Sequence, residues 1–202
     1  MIFIRENCRL CQKYKSEGSI IFENNNFWIA PALGQIVEGY LLISTKKCYI
    51  GLSELPKSLL DELEILQKKV RKILLKYYTE PIFFEHGAIA SHRKGGCCIE
   101  HAHIHVVPID IDLFNDISRY FRPKKIKKLR HLTQQFSKQI PYIYYENQTG
   151  NKYLFELYKP IPSQYLRRLI ALKLNNPEKY DWRLYPEIDK FNKTFEKLSG
   201  KF

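Results

Sequence analysis

The chain has 202 residues, 45% of them hydrophobic, which is enough apolar material for a sizeable core without covalent staples. No apolar run approaches the roughly 18 to 20 residues that cross a bilayer, and the amino terminus "MIFIRENCRLCQKY" carries charge from its fifth position, which argues against a membrane span or a secretory leader and for a cytoplasmic protein. The net charge of +12 is uneven, with +2 on residues 1–110 and +10 on residues 111–202; such a surplus suits polyanions such as nucleotides or nucleic acid, and equally a solvated basic face.

In chain order, a C-x-x-C pair, Cys8 and Cys11, comes first. Five cysteines, an odd number in a chain without a leader, argue against a disulfide framework and leave metal ligation or catalysis as their uses. "SIIFENNNFWIA" places two apolar runs around an asparagine cluster and predicts a β-hairpin, and "GYLLIST" predicts the next strand. From Ser53 to about Tyr78, Leu59, Leu63, Leu66, Val70, Ile73 and Tyr77 recur at three and four residues after a Ser cap and an early Pro, which predicts the longest helix. "PIFFEHGA" predicts a strand, "IASHRKGG" a basic loop, and "CCIEHAHIHVVP" a further strand ended by Pro108. Beyond residue 110, "IDLFNDISRYF" predicts a helix and "RPKKIKKLR" a flexible basic segment. "QIPYIYYEN" and "KYLFELYK" predict a second hairpin, and "SQYLRRLIALKL" and "EIDKFNKTFEKL" predict two more helices. The expected organisation is a domain at 1–110 and a basic extension at 111–202.

Side chains alternate across a strand, so His101, His103 and His105 would share one face while Ala102, Ile104 and Val106 take the other. Three imidazoles on one wall point to chemistry. A single catalytic metal held by all three is disfavoured, because alternate positions on one flat strand do not converge on one ion.

"HAHIHVV" resembles the His-x-His-x-His signature of the histidine triad superfamily, and "EGYLLISTKKCYIGLSEL" is similar to the segment that leads into that family's long helix. The resemblance covers roughly residues 8–108. It implies an α+β, HIT-like fold, an antiparallel sheet with one long helix, here followed by a mixed β-hairpin and helical extension. It also implies a nucleotide substrate cleaved or transferred at its α-phosphate, with His103 as the nucleophile and His105 bonding phosphate or leaving-group oxygens. Imidazole is neutral and nucleophilic near physiological pH, which suits a covalent phosphoramidate. Hydrolysis is preferred over transfer because His105 stands where transferase relatives usually carry Gln. Many members pair, so a homodimer is an open arrangement.

Phosphate contacts are expected from His92, Arg93 and Lys94 in the basic loop and, weakly, from Cys98. The chain departs from the family pattern at Glu85-His86-Gly87, where many members carry Asn or Gln in an N-x-G unit. A carboxylate beside phosphate is unfavourable unless it holds a proton, sugar hydroxyls or a cation, so Glu85 is expected to choose the substrate or to act in acid/base work. Zinc-binding members use a C-x-x-C pair, the histidine ending their Lys-Arg-His segment, and the first triad histidine. The matching positions are Cys8, Cys11, Cys48 and His101, a Cys3His set suited to structural zinc. Two alternatives stand beside the hydrolase: a nucleic-acid 5′-end deadenylating enzyme, suggested by the basic second half, and a catalytically idle nucleotide-binding module.

Overall fold

The computed structural model describes residues 8–16 and 19–202; the charged stretch at residues 1–7, read above for a leader, lies outside the described residues. A helix, α1 (Arg9–Ser16), precedes a hairpin of β1 (Phe22–Glu23) and β2 (Phe27–Pro31). Its turn is set by Asn24, whose Oδ1 accepts from the backbone N–H groups of Asn26 and Phe27, the local bonding that makes Asn a turn former. Then come β3 (Leu41–Thr45), α2 (Lys57–Tyr77), β4 (Pro81–Gly87) and β5 (His103–Pro108). The second half supplies α3 (Phe114–Ser118), β6 (Pro123–Ile126), α4 (Thr133–Lys138), β7 (Tyr142–Glu146), β8 (Lys152–Glu156), α5 (Tyr165–Lys173) and α6 (Ile188–Leu198). The protein is α+β, as its sequence implies.

All strands pair antiparallel in one sheet, in the order β1-β2-β3-β5-β4-β7-β8-β6. The sheet runs across residue 110: β4 pairs β5 on one side and β7 on the other. Both faces are covered, so each strand feeds two cores by simple alternation. On one face Phe83, Ile104, Val106 and Tyr144 pack against Leu60, Leu63, Val70 and Leu74 of α2. On the other, Ile82, Phe84, Val107 and Ile143 pack with Ile117 of α3 and with Leu166 and Ile170 of α5. The carboxy-terminal helix returns to the first half. Thr194 of α6 accepts from the Gly39 N–H and donates to Gln35, both buried.

Two expectations are corrected here. The long helix starts at Lys57, not Ser53: Pro56 forces Leu55 into extended backbone, and Leu52–Glu54 forms a separate 3-10 turn with the Ser53 hydroxyl unpartnered. Its buried stripe is centred on Leu60, Leu63, Val70 and Leu74, with Leu59, Ile73 and Tyr77 half-buried at its edge. The "RPKKIKKLR" segment is ordered. Residues 123–126 form strand β6 on β8, and Ile126, Leu129 and Leu132 are buried against the α2 core while the lysines face solvent.

Candidate functional site

The triad histidines part company. His101 precedes β5 and turns away from the wall that His103 and His105 share. Its Nδ1 lies 3.3 Å from Cys8 Sγ and 3.4 Å from Cys11 Sγ. Its Nε2 lies 2.7 Å from the Thr45 carbonyl, an oxygen that only accepts, so Nε2 carries a hydrogen and Nδ1 is the nitrogen that faces the sulfurs. Cys8, Cys11, Cys48 and His101 are all buried, and their ligand atoms lie within 4.8 Å of one another. Ligands at about 2.0 to 2.3 Å from one ion sit about 3.5 to 3.8 Å apart in a tetrahedron, so this donor set fits zinc. The Cys48 thiol, ahead of the His101 ring, pulls the Cys8 thiol down against its burial while Cys8 pushes the Cys48 thiol up, so one sulfur of the pair takes the thiolate form that a metal binds. Zinc there would tie α1 to the end of β3 and the start of β5.

The third imidazole on the wall is His86. The register that sets Phe84 opposite His105 puts Ile82, Phe84 and His86 on the face of His103 and His105, and sends Phe83 and Glu85 to the other. The His105 ring stacks on Phe84 at 4.6 Å and meets His103 edge-on at 4.8 Å and His86 edge-on at 6.1 Å. Each ring is held. The His103 Nδ1–H donates to the His101 carbonyl, again an oxygen that only accepts, so the opposite nitrogen, Nε2, is bare. The His86 Nε2 accepts from the Leu166 N–H in the first turn of α5. The His105 Nδ1 bonds the hydroxyl of fully buried Tyr40 at 2.8 Å. Burial pushes all three rings down, His86 to about 3 and His103 to about 4, so the wall is uncharged.

These rings line a cleft of about 270 Å³. Leu33, Leu42, Cys97, Cys98 and Ile99 line it from the first half, Arg9 and Leu10 from α1, and Gln164, Arg167 and Trp182 from the second half. Among the expected site residues, the structure brings His103, His105 and Cys98 to this cleft, and Cys8, Cys11, Cys48 and His101 to the metal cluster beside it. It does not bring the others. Glu85 lies across the sheet, accepting from the Tyr142 hydroxyl and the Leu52 N–H, and its burial pushes it up to about 7. His92, Arg93 and Lys94 border a separate surface hollow; Arg93 donates to the Gln139 carbonyl and Lys94 pairs with Glu100. The reasons are the strand alternation at Glu85 and the outward course of the basic loop.

The sequence left open which way His86 faces, and it gave no cleft role to Gln164, Trp182 or Arg167. Arg167 is 2% exposed. Its Nε donates to the Tyr180 carbonyl and an Nη to the Gly34 carbonyl, and its guanidinium stands 5.2 Å from the Tyr40 ring centre. Only the alternation of β4 signalled His86; nothing local signalled the rest.

The chain is similar at low identity to several solved structures. One is a HIT family protein from Bacillus anthracis str. 'Ames Ancestor', at 16% identity and TM-score 0.44 over 51% of this chain and 73% of that one. A hypothetical histidine triad nucleotide-binding protein from Sulfolobus tokodaii strain7 aligns at 19% identity and TM-score 0.44 over 65% of this chain and 93% of that one. A Zn-bound histidine triad family protein from Mycobacterium smegmatis aligns at 16% identity and TM-score 0.44 over 66% and 97%. No curated protein matches the chain. The family model described as "Protein similar to CwfJ C-terminal" matches residues 3–122, more than half of the sequence and the stretch that holds both the metal cluster and the histidine wall. The chain belongs to that family of proteins similar to the CwfJ C-terminal region.

Proposed function

We propose that the protein hydrolyses a nucleoside 5′-phosphoryl bond through a covalent nucleotidyl-His103, on a substrate such as a dinucleoside polyphosphate or a nucleoside phosphoramidate. The observation that carries this reading is the bond from His103 Nδ1–H to the His101 carbonyl, which leaves Nε2 unprotonated on the wall of the cleft. In the first step Nε2 attacks phosphorus and the leaving group departs with its bonding electron pair, a phosphate as its anion and an amine after taking a proton from solvent. In the second, water attacks phosphorus, the P–N bond breaks back to His103, and the water's proton passes to solvent. Splitting one displacement into two is the use of a nucleophilic imidazole. His105, fixed by Tyr40 and stacked on Phe84, stands beside the reacting nitrogen to bond phosphoryl oxygens. Zinc, which the three cysteines and His101 would hold, takes no part in these steps; its role in this reading is structural.

The test is intact mass after mixing with candidate dinucleotides, nucleoside phosphoramidates and nucleotide sugars. A nucleotidyl increment on wild type, mapped to His103 and absent from His103→Ala, is the expected result. Nucleotide binding with neither increment nor turnover would leave an idle binding module instead.

A polynucleotide-end substrate is the second reading. The specific observation behind it is a hollow where exposed Tyr120 and Tyr158 stand among Arg122, Lys124 and Lys159, the mix of stacking faces and cations that suits single strands.

A further inference from the structure

Arg167 is buried, yet among the described residues no carboxylate pairs with it, and no Asp or Glu lines the cleft it borders. Its carbonyl partners, Tyr180 and Gly34, use two of its five N–H donors and the Tyr40 hydroxyl a third, which leaves donors over. A buried cation without a counter-ion is costly, and the cost falls when an anion completes the pair. A second observation comes from the neighbouring turn. Gln164 is 3% exposed, lines the same cleft, and has an Oε1 with no hydrogen-bond partner. Its backbone is left-handed, at φ 62°, and its N–H donates to the Gly96 carbonyl, so the side chain is held at this position by a non-glycine residue in a conformation that costs energy. The approach of the second half is built in on the other side as well. Gly34 has φ +68°, and a Cβ there would stand 2.7 Å from an Arg167 Nη and 2.5 Å from the Trp182 Cβ.

We propose that Arg167 and Gln164 form the ligand-recognition wall of the cleft: Arg167 pairs with the phosphoryl group of a nucleoside 5′-monophosphate unit, and Gln164 receives an O–H or N–H hydrogen from its nucleoside part. The placement of that phosphoryl group before His103 rests on the function proposed above; the anion site itself does not. The charge of Arg167 also helps to keep His86 and His105 neutral, as a cation facing the same space does. The second half of the chain thus determines what the histidine wall accepts.

The experiment compares the dissociation constants of AMP and adenosine for the intact, zinc-loaded protein at about 50 mM salt, where charge pairing is weakly screened. Wild type should bind AMP at least about tenfold more tightly than adenosine. Arg167→Gln should reduce that ratio to about twofold while leaving adenosine affinity within about threefold. Gln164→Leu should weaken AMP and adenosine alike, by about two- to tenfold, and leave the ratio unchanged. Equal wild-type affinity for the two ligands, no binding of AMP, or an unchanged ratio in folded Arg167→Gln overturns the proposal. Because Arg167 also braces Gly34 and Tyr180, its replacement risks misfolding; the wild-type ratio and the Gln164 variant then decide alone. A wild type that discriminates AMP but never acquires a nucleotidyl group supports the wall and removes the nucleophile.

Discussion

His103 and Glu85 show how far a single residue can be read. The nucleophile proposed for this chain, His103, comes from the resemblance to the His-x-His-x-His signature, and replacing it gives the first prediction: His103→Ala abolishes turnover while AMP affinity stays within about tenfold, because a nucleophile acts mainly beyond the ground state. Steady-state rates and binding titrations on the same preparation check this, and retained turnover would sink the mechanism. Glu85 was legible as a departure from the family pattern but not as a group on the other side of the sheet. Its carboxyl is pushed from 4.5 to about 7 by desolvation, with the Tyr142 hydroxyl and the Leu52 N–H acting against the rise. A raised folded pKa means that the folded state holds a proton the unfolded state has lost. Stability from this group is therefore complete below about 4.5 and is lost as pH rises through about 7. Wild type should lose on the order of 3 kcal/mol between pH 4.5 and 8 relative to Glu85→Gln. Urea unfolding of both proteins across that range measures it, and parallel pH profiles would disprove it.

At the scale of elements, the Cys3His group brings the start of α1 together with the loop after β3 and the residues before β5. Wild type should hold one zinc per chain, Cys48→His should keep it, and Cys48→Ala should bind it more weakly and unfold at lower temperature. Metal bound only by the folded chain adds its binding free energy to folding. Metal analysis with thermal melts checks this; unchanged zinc in Cys48→Ala would take Cys48 out of the site. The β4–β7 pair makes a second prediction. Gly87 lies opposite Tyr142, and a Cβ there would stand 2.3 Å from that tyrosine's ring. Gly87→Ala should cost about 1 to 3 kcal/mol by overpacking, with the Tyr142 bond to Glu85 disturbed first. Denaturant midpoints with the slope held constant would show it, and an unchanged midpoint would not fit this packing.

For the whole molecule, the net charge and the sheet lead to different conclusions about the second half. No helix among the described residues is long and apolar enough to cross a membrane. The basic residues divide by burial: Arg167 belongs to the cleft, and Lys124, Lys125, Lys127 and Lys128 are exposed along and beyond the outermost strand. If the polynucleotide reading holds, oligonucleotide affinity should fall steeply between about 50 and 200 mM salt, and changing these four lysines to Glu should flatten the slope. Absence of oligonucleotide binding at about 50 mM salt leaves them as a solvated face. AMP binding in the cleft should be the same in both proteins.

The sequence by itself determined the hairpins, the long helix apart from its start, and the strand that presents His103 with His105, and its family resemblance pointed to the cysteines and histidine that meet beside it; it did not show α1, α4 or β6. Periodicity reports which residues share a face, and a signature reports which types the chemistry needs. Neither reports what lies opposite. Tertiary structure decided that His101 leaves the triad wall and His86 joins it, because the pairing of β4 with β5 fixes which side of β4 looks into the cleft. It also decided that the second half closes the site, because β7 continues the sheet at β4 and brings α5, with Gln164 and Arg167, over the histidines. Those contacts join residues far apart in the chain, and burial turned one arginine of a basic surplus into a cation facing a cleft with no carboxylate of its own.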